Sequence, residues 1–129
     1  MPQILFTTED CWIIISLPLS NKGATLSEII ARADMINHAI PTKVEIEVAL
    51  TKGIQSGLVI ICDGRYKLNE KHKLLFEKVY SKKGGLFSMT SNLYNELNSQ
   101  KFEVINEVEV SISAKDYKSA IEDYLGSTK

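Results

Sequence analysis

The stretch SGLVIICDGRYKLNEKHKLL, residues 56–75, decides the fold. Its two runs of strand-forming residues, 58–62 and 65–68, flank Asp63-Gly64, which is the strongest short-range signal for a two-residue hairpin turn. Such a turn pairs each residue of the first run with one of the second. The predicted pairs are Val59–Leu68, Ile60–Lys67, Ile61–Tyr66 and Cys62–Arg65. The sequence therefore predicts a β-hairpin with a fixed register.

Side chains alternate along a strand, so the register sorts the hairpin into two faces. We expect the apolar face to be buried, and it consists of Val59, Ile61, Tyr66 and Leu68. Arg65 and Lys67 lie on the opposite face, where we expect both to be exposed.

Two capping boxes before the hairpin predict two helices, because Thr25 with Glu28 and Thr42 with Glu45 can satisfy the free amides of a first turn. The first helix should end near His38, since a proline follows at position 41. The second should cover residues 42–56, with an inward stripe of Ile46, Ala49, Leu50, Gly53 and Gly57.

Glycine at position 53 lies in the middle of that helix, where it costs about 1 kcal/mol relative to alanine. We expect another backbone to approach closely at this point. Gly57 should end the helix in the left-handed conformation.

Weaker patterns flank this region. At the N-terminal side we expect a short strand over Gln3–Phe6. Cys11–Leu17 is apolar on every side, so periodicity cannot separate a buried helix from a strand, and we favour the helix. After the hairpin we expect a helix that Asn69 caps, a helix over Thr90–Ser99, a strand over Phe102–Ile112 or a hairpin that turns at Asn106-Glu107, and a helix over Ala114–Leu125.

The order helix, helix, turn, helix, two-residue hairpin, helix resembles the winged helix-turn-helix of bacterial MarR-like and PadR-like transcription regulators. The similarity covers Thr25–Leu75 and is closest where Gly-Leu-Val leads through a Gly-tipped hairpin into Tyr-Lys-Leu. Gly53 stands where the family usually carries leucine. The resemblance implies an α+β fold. Residues 1–83 would form a winged helix-turn-helix domain with three helices and a two-stranded wing, and residues 84–129 a C-terminal helix–strand–helix extension that packs on it or mediates dimerisation.

By the same resemblance, residues 42–56 form the recognition helix and residues 58–68 the wing, both in contact with duplex DNA. The side chains expected to contact DNA are Thr42, Lys43, Glu47, Thr51, Lys52, Gln55, Arg65 and Lys67. The recognition helix carries no arginine and two outward glutamates, which is unusual for a DNA reader. A second hypothesis is therefore a winged-helix protein–protein interaction domain that does not bind DNA and uses Val44, Val48 and Ile60 as its apolar surface.

Composition limits the remaining classes of function. The chain has 129 residues, 44% of them hydrophobic, and a net charge of −1, which excludes a polycationic nucleic-acid coat. Charge is nevertheless uneven, because residues 65–101 carry eight Lys and Arg against three Asp and Glu. No catalytic motif or metal-ligand spacing is present, so we expect no enzyme, no cofactor and no metal.

Cys11 and Cys62 lie in apolar surroundings without CxxC spacing. We expect two buried free thiols in a cytoplasmic protein, the less favoured alternative being a single disulfide. The acidic residues before the longest apolar run argue against a signal peptide. Regulators that read paired half-sites are dimers, and the amphipathic 102–112 strand has an edge that can pair. We therefore expect double-stranded DNA and a second copy of the chain as partners, the alternative being that the strand pairs with Gln3–Phe6 in the same chain.

Overall fold

The computed structural model describes residues 3–19, 22–82 and 84–127. Within these ranges the chain is α+β, with six α-helices and two antiparallel sheets of two strands each. The elements are β1 (Gln3–Ile4), α1 (Thr8–Ile15), α2 (Leu26–Asn37), α3 (Lys43–Gln55), β2 (Val59–Cys62), β3 (Arg65–Leu68), α4 (Lys73–Ser81, after a 3-10 turn at Glu70–His72), α5 (Leu86–Asn98), β4 (Phe102–Glu103) and α6 (Ala114–Ser127). The expected domain boundary falls on Lys83, which lies outside the described residues.

Helix α1 is the centre of the core. Residues 10–15 are all buried, as expected of a helix that is apolar on every side, and α1 packs against α3 and α5. The helical interpretation of this segment is confirmed. Trp12 also ties α1 to α2, because its indole N–H donates to the Ala33 carbonyl at 2.8 Å.

The predicted hairpin register is confirmed at all four pairs between β2 and β3. Asp63 and Gly64 both have positive φ, 52° and 75°, which a type I′ turn requires. The first strand continues from α3 through Gly57, whose φ of 83° confirms the left-handed helix end. Both predicted capping boxes are formed as well.

Burial of the hairpin follows the expectation only near its root. Val59 and Leu68 are buried, whereas Ile61 is 46% exposed and Tyr66 is half-buried. Ile61 was expected to be buried, and that prediction is wrong because the end of the hairpin near the turn extends beyond the core. The backbone of Tyr66 pairs with that of Ala24. The Ala24 N–H donates to the Tyr66 carbonyl at 2.7 Å, and the Tyr66 N–H donates to the Ala24 carbonyl at 3.0 Å.

The expected long strand over Phe102–Ile112 is the main correction. Only Phe102 and Glu103 join a sheet, opposite Ile4 and Gln3 of β1. The chain then runs over α3, whose side chains take the place of a neighbouring strand. No hairpin forms at Asn106-Glu107: the Asn106 side chain donates to the Ile54 carbonyl at 2.9 Å and accepts the Val108 N–H at 3.2 Å, and the chain continues along α3. The preceding helix, expected from Thr90, begins four residues earlier at Leu86.

The two cysteines differ in burial and are both free. Cys11 is fully buried, and burial together with the neighbouring Asp10 carboxylate raises the pKa of its thiol to about 12. Cys62 is exposed, which corrects the expectation of two buried thiols. It lies beside the hairpin turn, outside the core.

Candidate functional site

The outward side of α3 is covered by residues 104–113, a segment that we call the strap. The strap runs antiparallel to α3, from Gln55 at the C-terminal end to Glu47 near the N-terminal end. It links β4 to α6. The outward side of α3 and the strap together form what we call the strap face.

Three polar side chains of α3 hold the strap. Gln55 donates to the Val108 carbonyl at 3.1 Å. The Thr51 hydroxyl accepts the Val110 N–H at 2.9 Å. These two α3 residues are one helical turn apart, and the strap residues that they hold are two apart.

One turn further along α3, the Glu47 carboxylate accepts the Ile112 N–H at 2.7 Å. The strap is therefore an extended chain that uses helix side chains as its hydrogen-bonding partners.

Both ends of the strap are fixed as well. Ile105 donates its N–H to the Gln55 carbonyl at 2.8 Å. Beyond the other end, the Tyr117 hydroxyl of α6 donates to the Pro41 carbonyl at 2.6 Å. Helix α6 then packs along α2, so the strap lies between two anchored elements.

The other α3 residues expected at DNA also have partners within the chain. Thr42 caps α3 by accepting the Glu45 N–H at 3.1 Å. Lys43 pairs with Glu47 at 3.2 Å. Lys52 donates to the Asp10 carboxylate at 2.7 Å and to the Leu5 carbonyl at 2.9 Å.

In the wing, Arg65 and Lys67 are both half-buried, not exposed as expected. The Arg65 guanidinium pairs with the Glu28 carboxylate at 3.2 Å, so this cation fastens the hairpin to the start of α2. Glu28 also accepts the Thr25 N–H of the capping box, and this bond is the main reason that the pKa of Glu28 lies below its ordinary value. The hydrogen bond and ion pair described for Arg65 go to Glu28, and not to the α3 residues that were expected to contact DNA.

The strap face has exposed apolar side chains on α3 and at position 108, and acidic side chains in the strap. Val44, Val48 and Val108 are 61%, 41% and 44% exposed. A groove of about 540 Å³ runs between Val48 and strap residues 109–111. Residues 102–113 carry three glutamates and neither lysine nor arginine.

No known protein family, curated protein or solved structure matches the chain. The described helices include none that is long and apolar enough to cross a membrane. In residues 3–19, 22–82 and 84–127, no group of three or more His, Cys, Asp or Glu side chains could hold a metal ion.

The docking of the strap on α3 was missed from the sequence. Its signal is present nonetheless, since Glu47, Thr51 and Gln55 recur at every fourth position of α3 and apolar residues alternate at 108, 110 and 112. Each pattern also has a simpler explanation, as a solvated helix face and as a half-buried strand. The two patterns are connected only by their spacing, because one helical turn of α3 is about as long as two residues of an extended strand.

We expect the strap to loosen at acidic pH. The pKa of Glu47 lies below its ordinary value of 4.5. The main cause is the hydrogen bond that the Glu47 carboxylate accepts from the Ile112 N–H, and the second is the bond from the Lys43 ammonium. A lowered pKa in the folded chain means that the carboxylate stabilises the docked strap above pH 4.5 and loses this effect as the pH falls through the folded value.

The measurement is the protection of the Ile112 amide from hydrogen exchange between pH 6 and pH 3, corrected for intrinsic rates. Glu47→Gln keeps an acceptor oxygen but does not titrate, so protection in this variant should change less with pH. Equal pH dependence in both proteins would contradict the role of Glu47.

Proposed function

We propose that this chain is a winged-helix protein–protein interaction domain whose contact surface is the strap face. The observation that carries the proposal is the bonding of Glu47, Thr51 and Gln55 to the strap backbone. A helix that enters the major groove needs such side chains for base edges and phosphates. Here the same groups are already used within the chain.

The order of elements supports the winged-helix part of the proposal. Helices α1, α2 and α3 precede the β2–β3 hairpin, and Ala24, between α1 and α2, pairs with Tyr66 of β3. This order of helices and hairpin agrees with the family resemblance drawn from the sequence.

Electrostatics also favour a protein partner over DNA on this side. The strap adds Glu107 and Glu109, both exposed, to a helix whose two lysines already have carboxylate partners. A phosphate backbone close to this surface would be repelled. The exposed valines at positions 44, 48 and 108 are the kind of surface that a protein partner covers.

The test is a titration of a labelled, random-sequence DNA duplex with the full chain, followed by fluorescence anisotropy at low salt. Val44→Glu places a charge in the first turn of α3, the part of a recognition helix that reads bases. Val44→Gln is the matched neutral control, and position 44 makes no hydrogen bond to the strap that the structure describes. We expect the two variants to bind DNA equally. An affinity at least tenfold lower for Val44→Glu would contradict the proposal.

A second candidate is DNA binding through the wing and α4, and the charge of residues 65–101 favours it. Lys71, Lys73, Lys78 and Lys82 are all exposed, although Lys78 and Lys82 lie 3.1 and 4.0 Å from the Glu96 carboxylate. If the wing touches DNA, the double variant Arg65→Ala/Lys67→Ala should reduce the slope of log K against log salt by about 0.9 for each lost phosphate contact. An unchanged slope would mean that the wing does not contact phosphate.

A further inference from the structure

The strap has a second hydrogen-bonding edge that faces away from α3. The N–H groups of Val110 and Ile112 point towards α3, and that of Val108 is bonded to the Asn106 side chain. In an extended chain the backbone groups of successive residues point in opposite directions. From Val108 to Ile112 the even-numbered residues bond to α3, so the N–H and C=O groups of Glu109 and Ser111 point outward.

These outward groups make no backbone hydrogen bond in the part of the chain that the structure describes. Glu107, Glu109 and Ser111 are exposed. An edge of this kind is a template for another strand.

We propose that the outward edge of the strap pairs with the same edge of a second copy of the chain, antiparallel, around a twofold axis at Val110. The inference names the partner of the interaction domain proposed above and rests on that proposal for the use of the strap face. A twofold interface is self-complementary by construction, so the strap sequence has to fit itself.

The charges of the strap select this register. An axis at residue 108 or 109 would place a glutamate directly opposite a glutamate of the partner copy, which is destabilising. An axis at 111 would place Glu109, in the middle of the ribbon, opposite Ser113, whose carbonyl already accepts the Tyr117 N–H at 3.0 Å. With the axis at Val110, only Glu107 at the end of the ribbon lies opposite Ser113, and the pairs next to the axis avoid it.

An axis at Val110 places Glu109 opposite Ser111 of the second copy on both sides. These two residues exchange N–H···O=C bonds, which gives four backbone hydrogen bonds around the axis. On the other face of the ribbon, Val110 meets its own copy and Val108 meets Ile112. This pairing would cover part of Val108, which is 44% exposed in the single chain.

The test is sedimentation equilibrium of the full chain between about 10 μM and 1 mM, compared with variants at position 111. Ser111→Pro removes an outward N–H but none of the inward ones that hold the strap on α3. We expect it to weaken the dimer at least tenfold. Ser111→Ala, which changes the side chain only, should leave the dimer unchanged.

Charge substitutions test the register itself. Ser111→Lys puts a cation opposite Glu109 of the other copy twice, and it should tighten the dimer about fivefold. Ser111→Glu should weaken it by a similar factor. A change in the same direction for both variants would overturn the register, whether or not Ser111→Pro folds.

A wild-type chain that stays monomeric at 1 mM would overturn the proposed self-pairing. The outward edge would then be expected to pair with an extended segment of a different protein. That result would not affect the proposed function, which fails only if Val44→Glu weakens DNA binding. The two failures are therefore distinguishable.

Discussion

Replacing Trp12 with alanine is expected to lower the free energy of unfolding by about 4 kcal/mol. The indole is 5% exposed, in the middle of the helix that α3 and α5 pack against. The substitution leaves a large cavity and also removes the 2.8 Å bond to the Ala33 carbonyl. Few single changes in this chain remove both packing and a buried hydrogen bond.

Trp12→Phe is the control, because it keeps a large aromatic ring and loses the N–H donor. We expect it to cost about 2 kcal/mol, less than the alanine variant. Urea unfolding followed by circular dichroism measures both variants, since Trp12 is the only tryptophan and fluorescence is lost with it. Equal losses for the two variants would show that the ring volume contributes nothing.

Gly53→Ala is expected to lower the free energy of unfolding by up to about 2 kcal/mol, although alanine is the better helix former. A Cβ atom at this position would lie 2.5 Å from Cγ2 and 3.1 Å from Cβ of Val59. Overpacking of this kind typically costs about 1–3 kcal/mol. The gain in helix propensity returns about 1 kcal/mol.

The double variant Gly53→Ala/Val59→Ala separates the clash from other effects. With Cγ2 of Val59 removed, the alanine at position 53 gains space, so the combined loss should be smaller than the sum of the two single losses. The two single variants and the double variant are each compared with the wild type by chemical denaturation. Additive losses would mean that Val59 is not the obstacle.

Local sequence signals predicted the hairpin and the helix ends well. The Asp63-Gly64 turn and the capping boxes at Thr25 and Thr42 depend on residues a few positions apart, and all three are formed. Gly53 was expected to allow the close approach of a backbone. Its neighbour is instead the Val59 side chain of β2, which periodicity within α3 cannot identify.

The candidate site was predicted in position but not in its contacts. Thr51 and Gln55 lie on the outward side of α3, as the helical spacing requires, yet they hold the strap. The strap follows α3 by about fifty residues in sequence, so no local pattern connects the two segments. The predicted burial of Ile61 is wrong for a related reason. Strand alternation gives the face on which Ile61 lies, but not how far the hairpin extends beyond the core.

The central claim is that the strap is docked on α3 in solution, and amide hydrogen exchange at Val110 and Ile112 tests it most directly. Both N–H groups are donated to α3 side chains, at 2.9 and 2.7 Å. We predict that their exchange is slowed about a hundredfold or more relative to an unstructured peptide, and that Thr51→Ala reduces this protection at Val110. Exchange of both amides at the rate of an unstructured chain would contradict the account.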